Sequence, residues 1–344
     1  MQALILVGGE GTRLRPLTET VPKAVMPLAG QPFLSYMIEW LGRHGVDEVV
    51  LACGFGAGRL RGVLGEGGDG PRVRYIEEPE PRGTAGAIKF AAQQLPDRFL
   101  ALNGDVLADL DLTALIGFHE QRESRATLGL YPVEDPSGYG LVRRSEDGAI
   151  LEFLEKPDPG HARPGEINAG TYVLERSVLD LVPDGRMVSI EREVFPRLIG
   201  DGLHGLPLDG YWMDVGTPDR YLQATWDILE RHVRTALGDR LDEAGRLIGE
   251  GVELEAGARV EGPALVEDGA RLGEGAVVGP RAAIGPGCEI GAGAVVTSSV
   301  LHEGCRIGEG ATVQEAIAGA GVEVEMGASV VAGSVLGAGE RIEA

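Results

Sequence analysis

From Val252 to the end of the chain an aliphatic residue returns at every sixth position, and no other feature of the sequence restricts the fold so tightly. Leu254, Val260, Val266, Leu272, Val278, Ile284, Ile290 and Val296 hold the phase. The register then slips by one residue, giving Leu301, Ile307 and Val313, and resumes as Val324, Val330, Leu336 and Ile342. Glycine, alanine, proline and glutamate fill the intervals; the chain carries 54 glycines, roughly twice the usual share of about 7 %. A period this strict requires stacked, near-identical short units that bury a continuous core only together. A disordered Gly/Ala-rich tail has no reason to keep its aliphatic residues in phase.

The pattern resembles the hexapeptide repeat of left-handed parallel β-helices, in which three hexads make one triangular coil, and residues 251–344 hold about five coils. Residues 1–225 read as an α/β domain. Ala3–Val7, Glu48–Ala52, Arg72–Ile76, Phe99–Leu102 and Ala126–Tyr131 are strand-like runs, while Phe33–His44, Thr84–Gln94 and Leu112–Glu123 have helical periodicity. Strand alternating with helix predicts a mostly parallel sheet covered on both faces, with ligands beyond the carboxyl ends of the strands. Thr217-Pro218 is a helix start, and a helix from Pro218 to about Leu237 is expected to enter a helical linker at 226–250.

A net charge of −22 repels nucleic acid phosphates and anionic membranes, so neither is an expected partner. No apolar run approaches the roughly 20 residues of a membrane span. Met1–Val7 lacks a basic leader and a cleavage site, and the expected location is the cytoplasm. Cys53, Cys288 and Cys305 fit no paired metal spacing and read as reduced, structural thiols.

On so acidic a chain, a cationic glycine-rich loop stands out. Gly8-Gly9-Glu10-Gly11-Thr12-Arg13-Leu14-Arg15-Pro16-Leu17-Thr18 follows the first strand directly, with Pro22-Lys23 behind it. Glycine lets backbone amides close on phosphate oxygens, and Arg13 and Lys23 add fixed positive charge, so the loop is expected to hold a triphosphate. It lacks the third glycine of a dinucleotide fingerprint and the Gly-Lys-Ser/Thr of a Walker A loop.

This loop is similar to the signature of sugar-1-phosphate nucleotidylyltransferases, and six further blocks follow in family order: Glu78-Pro79-x-Pro81-x-Gly83-Thr84-Ala85-Gly86, Leu102-Asn103-Gly104-Asp105, Tyr139-Gly140, Glu155-Lys156-Pro157, Ile167-Asn168-Ala169-Gly170 and Trp212-Met213-Asp214-Val215-Gly216-Thr217-Pro218. Mannose-1-phosphate guanylyltransferases of this length also carry a C-terminal hexapeptide β-helix, so the resemblance covers essentially the whole chain. It implies a Rossmann-like catalytic domain and transfer of a nucleotidyl group to a sugar 1-phosphate. It gives catalytic roles to Arg13 and Lys23 and nucleotide contacts to Leu6, Gly8, Gly9, Gly11, Thr12, Glu78, Gly83 and Thr84. Asn103, Tyr139, Gly140, Glu155, Lys156, Asn168 and Gly170 would meet the sugar phosphate, and Asp105 and Asp214 would hold Mg²⁺. Hard carboxylate oxygens suit that ion. Read alone, the lesser alternatives are a helix cap for Asp105, a surface residue for Asp214, a turn cap for Asn168 and a solvated pair for Glu155-Lys156.

One position bears on the base. Relatives that use thymidine or uridine triphosphate commonly have glutamine five residues before the equivalent of Gly83, where this chain has Glu78. A carboxylate only accepts, which suits the adjacent N1–H and 2-amino donors of guanine. A pyrimidine carbonyl facing it would cost about 1–3 kcal/mol. GTP is therefore the favoured nucleotide, and the resemblance implies mannose 1-phosphate as the sugar phosphate. A thymidylyl- or uridylyltransferase and a silent regulatory subunit are the rivals, and an acyltransferase β-helix is weaker because His302 is its only histidine. A homo-oligomer, joined through the β-helix and the catalytic domain, is expected because stacked coils leave flat faces.

Overall fold

A computed structural model describes residues 1–54, 56–68, 70–155 and 164–344. The chain divides into two compact units, residues 1–9 with 37–212 and residues 10–36 with 213–344.

The first unit is built on a nine-stranded mixed sheet. Its strands are β1 (Gln2–Val7), β2 (Glu48–Cys53), β3 (Arg72–Glu77), β4 (Arg98–Asn103), β5 (Ala126–Val133), β6 (Gly140–Arg144), β7 (Ile150–Glu155), β8 (Gly165–Glu175) and β9 (Leu203–Pro207). Along the sheet the order is β7-β6-β8-β4-β1-β2-β3, and β5 pairs with β8 and β9. The four strands β3, β2, β1 and β4 are parallel. The near-continuous apolar runs of β1, β2 and β4 are what a sheet buried on both faces requires, while the edge strand β3 keeps Arg72, Arg74 and Glu77. The helix Gly83–Ala92 contributes Ala85, Ile88, Ala91 and Ala92 to one core cluster with Leu4, Val50, Phe99 and Ala101. On the other side of β4 the long strand β8 runs antiparallel. Strands β6 to β9 were not among the expected runs, because β8 is apolar without alternation and the hairpin β6–β7 is charged.

In the second unit, residues 246–342 form three parallel ladders of six, six and five short strands, a parallel β-helix. Partner residues lie 18 apart in the first coils, as in Arg271↔Glu289. They lie 17 apart where Ser298 and Glu315 turn with positive φ, as in Glu289↔Arg306. The second of these shortenings was missed in the sequence: Ala318 fills the inward site between Val313 and Val324. Two residues before most of these aliphatic residues a second inward row is small, with Ala270, Ala276, Ala282, Cys288, Ala294, Cys305 and Ala311 all buried. The cysteines thus replace alanine in the stack, and all three of the chain are free and buried. Burial, with Glu77 and Glu78 nearby, pushes the Cys53 thiol up to about 12, which keeps it protonated and unreactive. Leu254 belongs to the repeat but is 47 % exposed, since no coil covers it.

The expected long helix stops at Leu229, because Arg231 takes a positive φ; a short helix, Ala236–Arg240, follows before the first ladder strand at Arg246–Ile248. Residues 10–36 pack within this same unit. A Cβ on Gly30 would lie 2.7 Å from Leu265, and one on Gly337 would lie 3.3 Å from the Pro16 ring. The Tyr221 hydroxyl bonds the Pro27 carbonyl and pairs with His302 Nε2 at 3.0 Å. One ladder is therefore apolar outside as well as inside, with Leu265, Ala283, Val300 and Ile317 all buried. Among the described residues no helix is long and apolar enough to cross a membrane.

Candidate active site

Within the first unit, strand pairing gathers most of the expected sugar-phosphate residues. Thr171 pairs with Leu102, which sets Gly170 beside Asn103; Ile167 pairs with Leu141, and Gly140 pairs with Glu155. Gly170 has φ 68°, and a Cβ there would lie 2.8 Å from Asn103 Nδ2, so only glycine allows the two strands this approach. Asn168 is committed locally. Its Oδ1 accepts the Gly170 N–H at 3.0 Å, and its Nδ2 donates to the Tyr172 hydroxyl at 2.9 Å. These bonds hold the bulge in β8 that presents Gly170. The Glu155 side chain and Lys156 lie outside the described residues.

Tyr139 meets Trp212 edge-on at 5.3 Å, and Tyr131 stacks on the same indole at 5.6 Å. The Trp212 indole donates to the Ala169 carbonyl at 2.9 Å, which fixes this platform beside Asn168 and Gly170. Trp212 and Tyr131 were not singled out from the sequence, although the Trp-Met-Asp block contained the signal.

Beyond the parallel strands, Leu6 ends the core of β1 and Gly8-Gly9 continue it. Gly104 donates to the Leu6 carbonyl at 3.0 Å, and a Cβ on Gly104 would lie 2.5 Å from that oxygen. This close approach places half-buried Asp105 at the turn after β4, next to the end of β1. Glu78, just past β3, is 8 % exposed, and its backbone N–H donates to the Cys53 carbonyl at 2.9 Å. Burial raises its carboxyl above the usual range, with the Arg82 guanidinium opposing. Gly83 (φ 69°) and Thr84 open a helix that is already clasped. The Ala85 N–H donates to the Val188 carbonyl at 2.9 Å, the Ile190 N–H donates to the Thr84 hydroxyl at 2.8 Å, and that hydroxyl donates to Glu191 at 2.9 Å. The segment Val188–Glu191, which no motif marked, thus shapes this edge.

In the second unit, Gly11 (φ 62°) turns the loop so that its carbonyl accepts the Thr18 hydroxyl at 2.9 Å, and a Cβ on it would lie 3.2 Å from that of Lys23. Thr12–Leu14 and Lys23–Val25 are single 3₁₀ turns, anchored by buried Leu14 and Val25. Arg13 and Asp214 both lie over Gly216, where a Cβ would be 2.6 Å from Arg13 Nη2 and 2.9 Å from Asp214 Oδ1. Arg220 adds a second cation at 3.8 Å from Asp214 Oδ2. Within this unit the bare glycine cradle thus lies beneath a guanidinium and a carboxylate, and carboxylate oxygens are hard donors of the kind a divalent metal takes. Among the described residues the one group of three potential ligands is elsewhere, at Asp227, Glu230 and His232, with Arg281 2.5 Å from Glu230.

Residues 2–231 match the nucleotidyl transferase family model, and residues 260–344 match that of the GMPPB C-terminal domain. The mannose-1-phosphate guanylyltransferase of Mycobacterium tuberculosis is 37 % identical over 264 residues, 74 % of this chain and 73 % of that one. The mannose-1-phosphate guanyltransferase of Yarrowia lipolytica is 40 % identical over 232 residues, 65 % of this chain and 63 % of that one. Among solved structures, HddC from Yersinia pseudotuberculosis complexed with GMP-PN superposes with a TM-score of 0.57 at 28 % identity, covering 65 % of this chain and 97 % of that one.

Proposed function

We propose, on the premise that this chain belongs to the nucleotidyl transferase family, that it joins GTP to mannose 1-phosphate, giving GDP-mannose and pyrophosphate. The enzyme acts by a single in-line displacement. A phosphate oxygen of the sugar 1-phosphate bonds to the α-phosphorus as the α–β bridging bond breaks, and the electron pair leaves with pyrophosphate. The nucleophile is already an anion, so no general base is required. Bringing two anions together and neutralising their charge is the main task. Arg13 and Lys23 take the triphosphate side, with the amides of Gly8, Gly9, Gly11 and Thr12. Lys156, outside the described residues, takes the sugar phosphate, and Asn103, Tyr139, Gly140, Glu155 and Gly170 read its hydroxyls. Asn168 positions Gly170. Members of this family use a divalent metal; Asp105 and Asp214 would hold Mg²⁺, which supplies charge neutralisation at the phosphates. The cytoplasm is the compartment that fits such substrates.

The choice of base is carried by the burial of Glu78, an acceptor-only group that suits guanine and opposes a pyrimidine. The name of the Mycobacterium tuberculosis relative supports both substrates, and the GMP-PN bound to HddC supports the base. Pyrophosphate release with Mg²⁺, each nucleoside triphosphate in turn, and mannose or glucose 1-phosphate tests the reading. GTP with mannose 1-phosphate is expected to be fastest. Preference for a pyrimidine nucleotide overturns the role of Glu78, and no release from any pair overturns catalysis in favour of a regulatory subunit. The chain further self-associates through β-helix and catalytic-domain faces.

A further inference from the structure

Each face of the β-helix has a different exterior. The ladder beside residues 10–36 is apolar outside, and the one through Arg259, Val277, Val295, Thr312 and Ser329 is mixed. On the third face the outward residues pair in register as Glu253, Arg271, Glu289, Arg306, Glu323 and Arg341. The sign alternates at every rung. Of the basic residues after position 250, Arg259, Arg271, Arg281, Arg306 and Arg341, three stand in this one column.

Within the column Arg271 pairs with Glu253 at 3.2 Å and Arg306 with Glu323 at 2.9 Å, whereas Arg341 pairs at 2.8 Å with Glu325 beside the column. Yet the column's side chains are 42–67 % exposed, and exposed pairs contribute little to folding. The mixed face shows that coils of this helix stack without such a column. What the column does offer is symmetry. A twofold axis between Glu289 and Arg306 lays Glu253 on Arg341 of a second copy, Arg271 on Glu323, and Glu289 on Arg306, so all six rungs meet opposite charge. An alternating column of odd length would meet like charge at every rung under the same rotation. On a chain of net charge −22 two copies repel over most of their surface, and a self-complementary column whose own six charges cancel is where they can approach, although Glu255 and Glu325 flank it.

We propose that this Glu/Arg column is an isologous docking strip that receives the same strip of a second copy of the chain. It rests on the self-association proposed above and names its surface. At about 4.8 Å per rung the strip is about 24 Å long, so the contact is small, electrostatically selected and salt-sensitive.

The test inverts the column: E253R, R271E, E289R, R306E, E323R and R341E together. The inverted chain keeps lateral pairing and self-complementarity, but against the native chain it puts like charge on every rung. Sedimentation at low ionic strength is expected to show dimers of each chain alone, dissociating at about 1 M salt, where charges are screened within roughly 3 Å. Affinity capture of a mixture with tagged native chain is expected to recover native but not inverted partner. The single variant Arg306→Glu, which spoils two rungs, is expected to weaken association about tenfold or more. Mixed dimers in statistical proportion, or a native chain that stays monomeric at low salt, overturn the proposal. Association is read without nucleotide, so it stands or falls separately from the pyrophosphate assay.

Discussion

The sheet of the first unit and the β-helix of the second bury similar aliphatic residues, but they tolerate irregularity differently. In the sheet, departures from regular pairing carry the candidate chemistry: the bulge after Asn168, the glycine contact at Gly104, the turn holding Asp105. In the β-helix every inward position meets the same neighbours one coil up and one coil down. A departure there shortens a coil by one residue, as at Ser298 and Glu315, and the ladders stay parallel through it. The difference teaches that regular repetition supplies stiffness, while function needs places where the repeat is broken. The segment 10–36 complicates the contrast. It carries Gly11, Thr12, Arg13 and Lys23, and it packs with the helix of coils. The coils are therefore part of the scaffold of the phosphate loop.

The largest expected effects separate site from core. Asp105→Ala should lower kcat by about 10³-fold, roughly 4 kcal/mol of barrier, with thermal unfolding within a few degrees of the parent. Ile284→Ala, fully buried in the coil stack, should do the reverse: about 2–5 kcal/mol of stability lost, read by denaturant unfolding, with kcat kept wherever the protein stays folded. If Asp105→Ala kept near-normal turnover, the metal assignment would fall.

A smaller effect probes the loop itself. Gly216→Ala would set a methyl 2.6 Å from Arg13 Nη2, at a flexible side-chain end that can move. Stability should change by about 1 kcal/mol or less, while displacement of Arg13 lowers kcat by about 10- to 100-fold. Unchanged kcat would show that Arg13 acts nowhere near Asp214. Smaller again is the base preference. Glu78→Gln should reduce the selectivity for GTP over UTP by about 1–3 kcal/mol. Guanine's donors bind the charged carboxylate, and burial holds that carboxyl above its usual range, so GTP affinity should weaken as pH falls through the raised value. The glutamine variant should lose that dependence, as a KM–pH profile would reveal.

Legibility followed the same division. The aliphatic period placed nearly every coil because one residue in six answers to one environment; Ala318 escaped, since alanine also fills turns, and so did the first ladder strand, Arg246–Ile248, which fell in the expected helical linker. The parallel strands β1 to β4 were legible from apolar or β-rich runs, but β6 to β9 were not, because their burial depends on partners distant in sequence. Motifs singled out Arg13, Lys23, Asp105 and Asp214 as candidates, and left invisible the clasp of Val188–Glu191 on Thr84 and the second cation, Arg220. Neither has a local signature: each arises from where the chain returns.

The subtlest prediction tests whether the coils that hold residues 10–36 respond to pH. Burial lowers His302 from 6.5 to about 4, so the unfolded chain binds more protons between those values. Its contribution is complete above about 6.5 and is lost as pH falls toward 4, about 3 kcal/mol across the window. Glu267, beside Gly30, is raised by burial, and further by Asp268, from 4.5 to about 7. There the folded state binds the extra proton, so its contribution falls as pH rises from 4.5 to 7. Between pH 4.5 and 6.5 the two slopes oppose, and the parent's unfolding free energy should vary little from this source. Glu267→Gln should unmask a loss of stability on acidification, and His302→Asn a loss on raising the pH. Urea unfolding at a series of pH values would read both tilts, and parallel profiles for parent and variants would mean that neither group feels the packing of residues 10–36 on the coils.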